Sequence, residues 1–430
     1  MPITKGPLNG IRVLDLTQAH AGPFGTLLLG DLGAEIIKVE PPTGEFMRMG
    51  DPKVHVSHSY IIGLNRNKKS ISLDLKGEIG RKTFYELVKK SDIVFSNYRA
   101  DVPKRQGSDF DTLKKINPGI IRLNISGYGE TGPYIAYPSF DIIACGHSGI
   151  LSISGEPGRA PVIPGGIALA DMMGGIFGCM SVLAALVKRN RDGKGMKLEI
   201  NLLDGLLVMQ QVMFQLYFLS GNEPGHQGRR HMMAAGYGIY DTKDGYITIA
   251  PIDLERVLKL IGLEYVLSDP LYDSSEKRLA NKKGLDQLIE KAFLEKTTEE
   301  WLKILRDEND IASGPVLNLD DVINDPQVKH NKMIIEMALK GEKYNTVGSL
   351  FRLYNEDGSL IEGNPEPPPD LNQDIEDVLS EVLGYSGDQI DELITETQSG
   401  LKRTQERVKS MTLLTEDDIA EAEKTKNQNN

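Results

Sequence analysis

Ile11-Arg-Val-Leu-Asp-Leu16, then Thr17-Gln-Ala-His-Ala-Gly-Pro23, Gly25-Thr-Leu-Leu-Leu-Gly-Asp-Leu32 and Glu35-Ile-Ile-Lys-Val-Glu40 read as strand, turn, helix and second strand. The two outer runs are short and mostly apolar, which suits strands covered on both faces. Gly33 stops the helix between them. Three more runs continue the series: Ser70-Ile-Ser-Leu-Asp-Leu75, Asp92-Ile-Val-Phe-Ser-Asn97 and Gly119-Ile-Ile-Arg-Leu-Asn-Ile125. Segments 82–90 and 110–116 supply helices between them. This alternation predicts an α/β fold with a doubly wound parallel sheet, whose ligands bind beyond the carboxyl ends of the strands.

A second stretch carries the chemistry. Pro164-Gly-Gly-Ile-Ala-Leu-Ala-Asp171-Met-Met-Gly-Gly175 sets one carboxylate at a helix start. Downstream, Ile176, Met180, Leu183 and Leu186 recur at helical spacing and run into Lys188-Arg-Asn-Arg191. An aspartate there ordinarily caps the helix. With few polar neighbours it is also expected to stay ionised yet poorly hydrated, which suits a nucleophile.

The chain of 430 residues can bury a sizeable core and suggests two domains, or one large domain with an insertion. A net charge of -12 without a basic stripe argues against nucleic acid as a partner. The two cysteines, Cys145 and Cys179, exclude a disulfide framework and fit a reducing compartment. The N-terminus lacks a signal-peptide core, and no uninterrupted apolar run spans a bilayer, so a soluble cytoplasmic protein without a membrane partner is expected. His55 and His58 share a segment without further metal-ligand spacing, so no metal site is expected.

Residues 1–205 read as the first part of a large Rossmann-like domain, 206–224 as a linker helix and loop, and 225–320 as a smaller inserted α+β domain. Residues 321–400 return to the large domain, and 401–430 form a polar tail. An apolar helix is expected over Leu206 to Leu219, and a two-stranded hairpin around Lys243-Asp-Gly245. Gly127-Tyr-Gly-Glu-Thr-Gly132 matches a dinucleotide fingerprint, but Pro133, Tyr134, Tyr137 and Pro138 follow where a helix should begin, so it reads as a loop. The first turn lacks three spaced glycines, which leaves an NAD-dependent dehydrogenase as a remote alternative.

Several further segments stand in a telling order: Gly10 to Thr17 with Ala21-Gly-Pro23, Leu32 to Glu40, Asn65 to Asp74, Ser96-Asn-Tyr-Arg99, Gly193 to Asp204, and Asn324-Asp-Pro-Gln327. Together they resemble the class III coenzyme A transferases (CaiB/BaiF type), relatives of formyl-CoA and carnitine CoA-transferases. The resemblance runs from Leu8 to about Leu393. It implies a homodimer of two interlocked rings, and acyl-CoA and carboxylic acid substrates. It implies no metal, ATP or redox cofactor, coenzyme A entering as a thioester substrate. Its nucleophilic aspartate falls on Asp171, whose carboxylate would exchange acyl groups through covalent intermediates. Glycines around it would let backbone N–H groups approach the oxyanion.

The resemblance also implies a CoA site. His20 and Ala21 match a turn that contacts CoA and the reacting groups; relatives can carry glutamine in place of His20. Leu73, Asp74, Leu75 and Lys76, with Asn97, Tyr98 and Arg99, match segments lining the nucleotide end. Arg105 matches a phosphate-contacting arginine, although with Lys104 it also reads as a solvated charge pair. Pro138, Ser139, Phe140 and Asp141 complete the CoA-binding set, and Tyr60 and Phe140 fall at substrate-binding positions.

The 229–236 segment has no run of consecutive glycines, and Phe140 lacks a hydroxyl; both argue against oxalate and formyl-CoA. Asn372-Gln-Asp-Ile375 departs from the Gly-Glu-His-Thr of many relatives. The nearest alternative is a 2-methylacyl-CoA racemase, whose Gly-His-Asp triplet reads Ser139-Phe140-Asp141 here, without the proton-exchanging histidine.

Overall fold

In the computed structural model, which describes residues 6–49, 55–163, 165–232, 234–339, 341–361, 363 and 365–412, the expected alternation is present from Arg12 onward. It runs β1 (Arg12–Asp15), α1 (Ala21–Asp31), β2 (Glu35–Glu40), α2 (His55–Leu64), β3 (Lys68–Ser72), α3 (Glu78–Lys89) and β4 (Ile93–Ser96). Then come α4 (Val102–Gln106), α5 (Phe110–Ile116), β5 (Ile121–Ser126), α6 (Asp141–His147), α7 (Leu169–Asp192) and β6 (Met196–Asn201). The six strands form one parallel sheet in the order β3-β2-β1-β4-β5-β6. Strand order reverses between β1 and β4, which makes the crevice at their carboxyl ends the topological switch point. The loop at 127–132 precedes no helix until Asp141, as its prolines required.

The chain divides into two compact units, residues 1–147, 168–209 and 333–430 in one, and 148–167 and 210–332 in the other. In the first, Leu14, Ile37, Val94, Phe84 and Leu87 are fully buried between sheet and helices. Asp15 is buried at the end of β1, where Lys68 Nζ lies 3.0 Å away and Thr26 Oγ1 donates to it at 2.7 Å. Burial alone would raise its pKa, but Lys68, Lys38 and the Thr17 and Thr26 hydroxyls hold it at about 2.

The second unit holds the expected hairpin, β7 (Gly238–Asp241) and β8 (Tyr246–Ile249), extended by β9 (Ser313–Pro315). The helix expected over 206–219 is broken at Gln210 into α8 (Leu202–Met209) and α9 (Gln211–Ser220). Gln210 leaves helical geometry at ψ 13°, and its buried amide donates to the Ser148 carbonyl at 3.1 Å. Helices α10 (Leu254–Leu260), α12 (Lys282–Phe293) and α13 (Thr298–Leu302) pack Val257, Leu285, Phe293 and Trp301 against the hairpin, and α11 (Ser275–Ala280) precedes α12 in the chain. Short helices α14 (Leu319–Asn324) and α15 (Pro326–His330) follow.

The chain then forms a hairpin, β10 (Ile334–Leu339) and β11 (Glu342–Val347), and two last helices, α16 (Ile375–Val378) and α17 (Gly387–Thr412). Ahead of α16, Asn372 Oδ1 and Asp374 Oδ2 each accept a backbone N–H of the edge strand β3, from Ser72 and Ser70, at 2.7 Å. Residues 401–412 of the expected polar tail continue α17, while 413–430 lie outside the described residues.

Helix α7 forms where the apolar repeat places a helix. Its buried stripe is Met173, Cys179, Val182 and Leu186 with Gly174, Gly175 and Gly178, whereas Ile176 and Met180 are exposed. α7 therefore carries apolar residues on more than one face. The most apolar 18-residue window of this 24-residue helix has a mean hydropathy of 1.7, enough by length and composition alone to cross a membrane. Half of its most apolar window is buried inside the protein, the placement of a core helix.

Candidate active site

Four elements of the first unit meet at the switch point: the β1–α1 turn, α2, the start of α6 and the start of α7. The turn is held by Asn97, which accepts the Gln18 N–H at 2.8 Å and donates to the Gln18 carbonyl at 2.7 Å. Ala19 is left-handed at φ 61°, an unfavourable region for a residue with a Cβ. Its N–H donates to buried Glu45 at 2.9 Å, which fixes the turn and points His20 inward.

His20 Nε2 lies 3.1 Å from Met172 Sδ, and its ring meets Tyr60 edge-on with centroids 5.3 Å apart. Nδ1 is buried without a hydrogen-bond partner. Burial lowers the His20 pKa and outweighs the opposing effect of Asp141, so the ring is neutral at pH 7.

Asp171 occupies the first turn of α7, but the cap comes from elsewhere. Ala168 at the N-cap has no side chain for the task. Asp141 Oδ1 accepts instead, from the N–H of Ala170 at 2.6 Å and of Asp171 at 3.2 Å. The cap therefore brings a second carboxylate to the nucleophile candidate. Burial first, and then Asp141, raise the Asp171 pKa to about 7. Burial and Asp141 thus outweigh the helix dipole, and the poorly hydrated carboxylate expected here has a raised pKa.

The glycines after Asp171 serve packing. A Cβ at Gly175 would lie 2.8 Å from the Ala21 carbonyl oxygen and 3.0 Å from the Gly25 nitrogen, so α1 and α7 touch backbone to backbone. Inside the helix their N–H groups bond within α7 and offer no oxyanion donor.

Next to this centre is a cavity of about 930 Å³. Gln18 and Tyr98 line it, as do Leu73, Asp74, Leu75 and Lys76, so five CoA-binding candidates share one space. Burial pushes the Tyr98 phenol up to about 12. Asn97 is committed to the turn, Arg99 donates to the Ala136 carbonyl at 2.7 Å, and Arg105 pairs with Asp101 at the surface. Pro138 and Phe140 are exposed, Phe140 at 70 %, while Ser139 is partly buried under Gly127. Tyr60 thus joins His20, whereas Phe140 does not. His147, six residues beyond Asp141, lies 3.1 Å from the Tyr128 hydroxyl through Nδ1.

Sequence reasoning missed Met172 against His20 and the contribution of α17. Glu396, Gly400, Arg403 and Thr404 line the same cavity. Their only sequence signal was helical spacing of Ile390, Leu393 and Leu401, with no hint of what the helix packs on.

Comparison with known proteins places these features in a lineage. The profile of CoA-transferase family III matches residues 8–374. The chain is 34% identical over 399 residues to the succinyl-CoA:glutarate CoA-transferase of Mus musculus, covering 90% of this chain and 89% of that one. It is 35% identical over 336 residues to the acetyl-CoA:oxalate CoA-transferase of Acetobacter aceti, covering 77% and 86%. A solved CaiB/BaiF family protein from Brucella suis superposes with a TM-score of 0.76 at 30% identity, covering 88% of this chain and 99% of that one.

Proposed function

The chain belongs to CoA-transferase family III and is an acyl-CoA:carboxylate CoA-transferase, and on that premise we propose that Asp171 is its covalent nucleophile. The observation that carries the proposal is the partly buried carboxylate at the start of α7, whose backbone N–H is held by Asp141 and whose neighbour Met172 touches His20.

In its ionised form Asp171 attacks the thioester carbonyl of the donor acyl-CoA. The C–S bond breaks, CoA leaves as the thiolate and a mixed anhydride remains. The thiolate then attacks the Asp171 carbonyl carbon, which releases the donor acid and leaves an aspartyl-CoA thioester. The acceptor carboxylate attacks that thioester, and the returning thiolate takes the new acyl group. Each step exchanges one activated acyl bond for another, so the free energy of the thioester is conserved and no cofactor takes part. A pKa near 7 suits a group that must be a base to attack and a competent leaving group afterwards.

Leu73 to Lys76 and Tyr98 line the nucleotide end of CoA, His20 and Ala21 the reacting end, and Tyr60 the acid. Succinyl-CoA is the donor of choice, since the mouse relative is named for it, and the Acetobacter relative keeps oxalate on the acceptor panel. The working form is a homodimer, which the exposed Ile176, Met180 and Val187 of α7 support as a face awaiting cover.

The test is exchange of CoA from succinyl-, acetyl- and butyryl-CoA to a pool of carboxylic acids, followed by mass spectrometry. New acyl-CoA species in the wild type, absent from Asp171→Ala, with a CoA adduct on the Asp171 peptide, establish the mechanism. Full exchange by the variant refutes it.

A further inference from the structure

We infer that Arg403, on the helix α17 that follows the family-matched segment, binds the 3′-phosphate of CoA and sets the preference for CoA over its dephosphorylated form. This rests on the reading of Leu73 to Lys76 as the nucleotide end. The cavity runs from Gln18 and Tyr98, at the crevice beside the reacting centre, to Arg403 and Thr404 on α17. A CoA whose thioester reaches Asp171 through the first end therefore carries its nucleotide to the second.

Helix α17 is a built wall. Ile390 and Leu393 are buried in the main core. Glu396 accepts the Ile79 N–H at 3.0 Å and the Gly80 N–H at 2.7 Å, capping α3. A Cβ at Gly77 would strike Glu396, and one at Gly400 would strike Asp74 Oδ2, so two glycines let helix and loop interlock.

At the end of this wall Arg403 Nη2 donates to Asp74 Oδ2 at 2.9 Å. Asp74 thereby orients the guanidinium, which has five N–H donors and remains 62 % exposed. The exposed Lys76 stands on the same cavity lining. Of the remaining carboxylates, Glu40 is held by Arg48 and Glu396 by the α3 amides, so neither is an unopposed charge facing a phosphate. An arginine presenting parallel donors is the side chain that matches phosphate geometry.

The experiment is calorimetric titration of the full-length protein with CoA and with dephospho-CoA. The wild type should prefer CoA by roughly ten-fold or more, as a charge-assisted hydrogen bond allows. Arg403→Met should bring that preference close to one by weakening CoA alone, and Arg403→Lys should restore part of it. Asp74→Asn, which removes the charge of the ion pair but keeps the cation, should retain the preference. Equal weakening of both ligands by Arg403→Met, matched by Asp74→Asn, would mean that Arg403 only docks α17 and would overturn the inference. So would an unchanged preference in Arg403→Met. A wild type that binds neither ligand would instead remove the assignment of the nucleotide end.

Discussion

Asp141 caps the helix that carries Asp171 and at the same time opposes that residue's charge. One oxygen, Oδ1, reaches the Asp171 N–H at 3.2 Å, so structural support and electrostatic tuning come from a single side chain. The raised pKa is thus built into the way α7 begins.

The pH profile should report this directly. The proposed attack requires ionised Asp171, so kcat/KM should fall as pH drops below about 7. Asp141→Asn keeps an oxygen acceptor for the cap but removes the like charge. Its acidic limb should move to lower pH by roughly one unit, read from initial rates between pH 5 and 9. An unmoved limb would detach Asp141 from the titration.

Stability should respond in the opposite sense. A carboxyl whose folded pKa lies above its unfolded value of 3.8 favours the fold while protonated, and that contribution is lost as pH rises through about 7. Asp171→Asn should therefore be more stable than the wild type at pH 8, by at most about 4 kcal/mol, with the difference vanishing near pH 4. Urea midpoints at the two pH values decide it.

Gly175→Ala should destabilise the protein by about 1–3 kcal/mol. The new methyl meets the backbone of α1 at Ala21 and Gly25, which cannot swing away as a side chain would. A midpoint equal to the wild type's would show that α1 and α7 separate without penalty.

Lys68→Met removes the ammonium that faces Asp15 at 3.0 Å with both groups fully buried. It leaves the buried carboxylate with the more distant Lys38 and the Thr17 and Thr26 hydroxyls but without its direct ion-pair partner, and should cost up to about 3–5 kcal/mol. Asp15→Asn on the same background should recover part of the loss, as seen in denaturant melts.

The parallel sheet was legible because its inner strands are covered on both faces, so that Val13 to Leu16 and Ile36 to Val39 read as apolar runs. The edge strand β6 was not, since Lys197 and Glu199 point outward and mask it. Asp171 could be placed at a helix start from its neighbours, but its partner Asp141 lies 30 residues upstream. No local pattern announces that an aspartate will cap a different helix. The nucleotide-end loop was visible as Leu73 to Lys76. Its wall was not, because the docking of Gly400 against Asp74 depends on tertiary fit rather than on helical period.

Asn372 and Asp374, a departure from the motif of many relatives, close the outer row of amides on β3. They reach that strand across about 300 residues of chain. During synthesis β3 therefore leaves the ribosome with its edge bare, and at ordinary translation speeds it stays so for roughly 15–60 s before its cover is made. An exposed edge is a template for pairing with another nascent copy. Yield in the cell then depends on how well that interval is guarded, and a chain truncated ahead of Asn372 would be left aggregation-prone even with Asp171 and its cap intact.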